Sequence, residues 1–99
     1  MKNQNLFIGN HRGRSRVWLD HKASLEEHGF TAGSRFDVDH GEGTITITSN
    51  TDGKRKVSAN KDRPIIDLCS VAATKSLEGF TRVDVTYAAG LIIISGAAE

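Results

Sequence analysis

Apolar residues recur at every second position in four short stretches of the chain. Phe36 and Val38 alternate with Asp37 and Asp39, and Ile45 and Ile47 alternate with threonines. Later, Val83, Val85 and Tyr87 and then Ile92 and Ile94 repeat the pattern. A period of two is that of a strand with one buried face. Gly41 and Gly43 separate the first two stretches and Ala89-Gly90 the second two, so the four predict two β-hairpins. Two further apolar strands, at 17–19 and 65–68, each follow a basic extended segment. Short helices are expected behind them, over about 21–28 and 68–77, with Gly29 and Gly79 at or beyond their ends. Asp20 and Asp67 are the expected N-caps, because a carboxylate accepts orphan amide hydrogens at the positive end of a helix. Thr51-Asp52-Gly53-Lys54 reads as a tight turn, since Asp-Gly reaches positive φ at little cost.

These elements form a repeat. Shifted by 47, the sequence aligns with itself without a gap and gives eight identities from Arg16 onwards. They are Arg16/Arg63, Asp20/Asp67, Arg35/Arg82, Asp37/Asp84, Val38/Val85, Gly43/Gly90, Ile45/Ile92 and Ile47/Ile94. Two copies of one unit are read, 1–49 and 50–99. About 47 residues can scarcely fold alone without a disulfide or metal, and an isolated hairpin is marginal in water. A single domain is therefore expected, residues 1–99, in which the repeats share one core. The expected fold class is mostly β with two short helices, arranged as a pseudo-two-fold barrel.

Charge changes the picture more than composition does. The 99 residues carry a net +1, but residues 1–16 hold +4 and residues 53–63 another +4, leaving −7 for the remainder. Two basic segments on an acidic body point to a localised anionic partner. Arg12, Arg14 and Arg16 alternate, so an extended strand places them on one face, able to follow phosphates or guanine edges. The bland alternative is a charged edge strand that resists aggregation. Arg35, Asp37, Arg82 and Asp84 are expected to form cross-copy salt bridges.

The pattern resembles the AbrB/SpoVT swapped-hairpin superfamily. Gly13-Arg14-Ser15-Arg16-Val17-Trp18-Leu19 takes the place of that family's basic strand, residues 21–30 its helix, and residues 34–49 its hairpin. Leu25-Glu26-Glu27-His28-Gly29-Phe30-Thr31-Ala32-Gly33 is similar to the SymE-like branch. Family members usually carry one unit and dimerise, presenting paired basic strands to DNA. The resemblance implies a pseudo-dimer fused in one chain, a swapped-hairpin barrel. By position it implies DNA contacts from Arg12, Arg14 and Arg16, and from Arg55, Lys56, Lys61 and Arg63. The tandem form also resembles small phage-like proteins.

Other chemistry is sparse. His11, His21, His28 and His40 lack zinc-ligand spacing, so no metal or other cofactor is expected. No nucleophile-and-base constellation or phosphate loop is present, so no enzyme is expected. Cys69 and Trp18 are expected to pack in the interior, with base stacking the minor alternative for Trp18. One cysteine and no apolar leader within residues 1–20 fit a reducing cytoplasm, and no apolar run is long enough for a membrane span. The sequence thus predicts a cytoplasmic transcriptional regulator or accessory factor on duplex DNA, as a monomer or homodimer. The alternative is a phage-type interaction module, an inhibitor or adaptor with a protein partner.

Overall fold

The computed structural model describes residues 2–97; Met1, Ala98 and Glu99, the outermost residues of the two expected repeats, lie outside the described residues. The chain is mostly β, with two short helices. In order the elements are β1 (Lys2–Phe7), β2 (Gly9–His11), β3 (Arg14–Leu19), α1 (Lys22–Glu27), β4 (Arg35–Gly41) and β5 (Thr44–Ser49). There follow β6 (Arg55–Lys56), β7 (Ser58–Asn60), β8 (Arg63–Cys69), α2 (Val71–Ser76), β9 (Arg82–Ala88) and β10 (Leu91–Gly96). Both expected hairpins are present, β4–β5 and β9–β10, and their strands correspond at an offset of 47.

The strands form a six-stranded sheet in the order β1-β9-β10-β5-β4-β6 and a four-stranded sheet in the order β2-β3-β8-β7. Every pairing is antiparallel. Neither sheet closes on itself among the described residues. At the centre of each sheet a strand of one repeat meets its counterpart in the other, β5 with β10 and β3 with β8. The flanks are exchanged as well. β1 of the first repeat lies along β9 of the second, and β6 of the second lies on β4 of the first. Single residues, Ile8 and Val57, separate β1 from β2 and β6 from β7, so the chain passes from one sheet edge to the other at both places.

That arrangement gives the halves a common interior. Ile45 lies opposite Ile94 and Ile47 opposite Ile92, and all four are fully buried. Val17, Leu19, Ile66 and Leu68 form the inward face of the central pair in the four-stranded sheet. Leu25 and Phe30 from the first helical segment and Ala73 and Leu77 from the second complete the same cluster.

The gapless repeat is corrected by the geometry. Left-handed Arg12 (φ 54) corresponds to left-handed Lys61 (φ 61), and α1 corresponds to α2, all at an offset of 49. The loop from helix to hairpin is then two residues shorter in the second copy, which restores 47. The helices are also shorter than expected, and neither aspartate caps them. His21 Nδ1 accepts from the Ser24 amide at 3.3 Å, and Ser70 Oγ accepts from the Ala73 amide at 3.0 Å. Asp20 and Asp67 are drawn instead to arginines across the sheet. The turn after β5 is present, closed by the Gly53 amide on the Asn50 carbonyl at 2.8 Å, but the reason for its glycine differs. Gly53 is not among the left-handed residues. A Cβ there would lie 2.6 Å from the Phe36 backbone, so close approach is what excludes a side chain.

Candidate nucleic-acid interface

The central strands β3 and β8 pair with Val17 opposite Leu68 and Trp18 opposite Asp67. Because side chains alternate, burial of Val17 and Leu19 turns Arg14, Arg16 and Trp18 to the outer face. The strands are antiparallel, so their basic N-terminal ends point in opposite directions. With about 3.3 Å of rise per residue, Arg14 and Arg63 stand roughly 25 Å apart along this face.

The two ends differ in their counter-charges. At the first, Arg12 sits in the β2–β3 turn and Arg14 opens β3; both are exposed. With His11 and Cys69 they line one cleft, and neither arginine has a carboxylate within 4.0 Å among the described residues. At the second end, Arg63 Nη1 lies 3.7 Å from Asp20 Oδ2 and Asp62 Oδ2 lies 3.0 Å from Lys22 Nζ. In the 49-residue frame Cys69 takes the position of Asp20. One end is thus open to an outside anion, and the other supplies its own.

Of the seven expected contact residues, Arg12, Arg14, Lys56 and Lys61 are exposed without a carboxylate partner among the described residues. Arg55 reaches β8 from the opposite flank, donating from Nη2 to the Asp67 carbonyl at 3.2 Å, with its guanidinium 5.7 Å from the Phe36 ring. Arg16 is committed. Its Nε donates to Asp67 Oδ1 at 3.0 Å and its Nη2 to Asp67 Oδ2 at 2.9 Å. That hydrogen bonding raises the Arg16 pKa still further above its ordinary value. Arg63 is partly committed, to Asp20. Arg16 and Arg63 thus each pair with an aspartate of the other copy, Asp67 and Asp20, although the two pairs are not equivalent in the 49-residue frame.

Three sequence expectations fail here. Trp18 is 41% exposed rather than packed, with the Arg16 guanidinium 4.5 Å from its ring centre. Cys69 ends β8 half-exposed, outside the core and outside the helix. No cross-copy salt bridge joins Arg35, Asp37, Arg82 and Asp84. Arg35 Nε donates to the Gly53 carbonyl at 2.7 Å, while Asn5 accepts from Arg82 at 2.6 Å and donates to Asp84 at 2.9 Å. Asn50 Nδ2 donates to Asp37 at 2.7 Å, which with the Lys54 amide lowers that carboxyl below its ordinary value. In each case the other copy does supply the partner, but as an asparagine or turn backbone rather than the opposite charge.

Away from this face, Val71 (66% exposed) and Phe80 (38%) line a groove beside α2 together with Ser15 and Thr74. Among the described residues no helix is long and apolar enough to cross a membrane. Compared with protein-family models, curated proteins and solved structures, the chain matches none.

Proposed function

We propose that the chain is a small DNA-binding protein of the AbrB/SpoVT swapped-hairpin kind, a cytoplasmic transcriptional regulator or accessory factor that folds as a pseudo-dimer. The exchanged pairings of β1 with β9 and of β6 with β4 support the swapped-hairpin reading. So does the passage of the chain between sheet edges at Ile8 and Val57, where strands that turn a corner would close the two sheets into a barrel. The observation that carries the functional reading is the open cationic end, Arg12 and Arg14 beside His11, with no carboxylate in reach among the described residues. Arg55 and Lys56 add charge from the other flank. Arg12 and Arg14 make the primary phosphate contacts; Arg16 holds the surface in shape. No cofactor is required.

Anisotropy of a labelled twenty-base-pair duplex at three salt concentrations tests this. The log of affinity should fall linearly with log salt, by about 0.9 per phosphate neutralised. An unchanged signal at micromolar protein would end the DNA reading. A phage-type interaction module, an inhibitor or adaptor with a protein partner, is the second reading. Exposed Val71 and Phe80 in one groove favour it, and it predicts no such slope.

A further inference from the structure

The centre of the outer face carries a feature that phosphate contact does not explain. Trp18 is the chain's one tryptophan and lies outside the core cluster, 41% exposed, between two residues that are each 1% exposed. Its place in β3 therefore turns it outward without help from the interior. Arg16 stands over its ring at 4.5 Å and cannot swing freely, because both Nε and Nη2 are held by Asp67 from the paired strand. A guanidinium held in place over an indole restricts the ring's orientation. An aromatic ring held in place, exposed and bordered by cations suits a flat, electron-rich partner joined to anionic groups. That is the chemistry of a nucleobase in its phosphate chain.

We propose that Trp18 is a stacking platform for an unpaired nucleobase, with Arg14 and Arg55 holding the phosphates on either side of it. This rests on the nucleic-acid reading above and names its ligand class: a strand with at least one base out of the helix. A paired base keeps both faces in its own stack, so a regular duplex has none to offer the indole. Arg16 acts here as a positioning residue, through Trp18.

The single tryptophan makes its fluorescence a direct reporter. The whole chain is titrated with a twenty-nucleotide oligothymidylate, with an oligouridylate of the same length, and with a regular duplex. Quenching by either single strand, tighter than binding to the duplex, is the expected result. Quenching by the thymidylate alone assigns DNA, by the uridylate alone RNA, and by both an unpaired base on either sugar; each supports the platform. Trp18→Ala should weaken single-strand binding about tenfold, and Trp18→Phe should recover part of the loss. Duplex binding should stay within about twofold in both variants, because it rests on phosphates. Arg16→Ala should lower single-strand affinity and change the Trp18 emission of the free protein. Duplex binding without quenching, or a Trp18→Ala chain as tight on single strands as the parent, overturns the platform and leaves the DNA reading standing. Failure of all three ligands to bind overturns both.

Discussion

The two ends of the four-stranded sheet are built from one pattern and present opposite faces to an anion. Both start with a turn whose leading cation is left-handed, Arg12 or Lys61, followed by an arginine at the mouth of a central strand. At the second end Asp20 and Asp62 occupy the neighbourhood, while at the first the place of Asp20 belongs to Cys69. Counting cations in the sequence gives the two segments equal weight. Their difference lies in which acids the fold brings back to them, Asp20 to Arg63 across 43 residues and Asp67 to Arg16 across 51.

The same contrast runs through the hairpins. β1 pairs with β9 over six residues, whereas β6 covers only the first two residues of β4. Tyr87, opposite Lys2, is consequently buried, and His40, its counterpart in the first copy, is exposed.

The comparison assumes equivalent halves around one interior, and the largest expected effect tests that. Ile45→Ala and Ile92→Ala occupy repeated positions and face isoleucines of the other copy, so each should cost about 2–5 kcal/mol in chemical denaturation. A loss below roughly 0.5 kcal/mol at either would show that the halves do not bear on each other. Next, replacing Arg12 and Arg14 with Ala should flatten the salt dependence of duplex binding by up to about 2 units. Lys61 and Arg63 replaced together should flatten it by less, about 1 unit, because Arg63 is already paired. Equal losses would erase the difference between the ends. Exchanging the counter-charges sharpens it further. Cys69→Asp should lower the slope by about 0.9, and Asp20→Asn should raise it by about the same amount.

The smallest effect is on pH. Burial pushes the Tyr87 hydroxyl up to about 12 from its ordinary 10.0. Its contribution to stability is complete below pH 10 and should be lost as pH rises from about 10 towards 12. With one tyrosine in the chain, phenolate absorbance reads the titration directly. A midpoint near 10 in the folded protein would show Tyr87 to be as open as His40.

Much of the architecture was legible because it rests on local periodicity. The alternation of Phe36 to Asp39 and of Ile92 to Ile94 marks strands and faces whatever surrounds them, and the burial of the four repeated isoleucines follows from it. Helix caps were less legible, since Asp20 and Asp67 suit a cap and an ion pair alike, and only strand pairing decides between them. The gapless offset of 47 hid the offset of 49 that holds from β2 to the helices, because Arg16/Arg63 and Asp20/Asp67 are identical at 47 although neither pair is structurally equivalent. Gly29-Phe30-Thr31 and Gly79-Phe80-Thr81, identical at an offset of 50, were the signal that could have revealed it. Of the candidate site, the positions of the cations were readable and their state was not. The register that sets Arg16 near Asp67 joins residues from different repeats. Trp18 was misjudged through its alignment with Ile65 in that same offset; its own flanks, Val17 and Leu19, pointed outward for it.

The turn from Asn50 to Gly53 ties the two halves into one chain, its glycine pressed against the Phe36 backbone. In a symmetric pair of separate subunits every substitution appears twice, so one end cannot be opened while the other is closed. A covalent link removes that constraint. Cys69 can stand where its counterpart is Asp20, and each change is felt once. The outcome is a surface with a head and a tail. Under the proposed function, a strand following it would meet cations first and acids last, and would be held in one direction rather than in two equivalent ones.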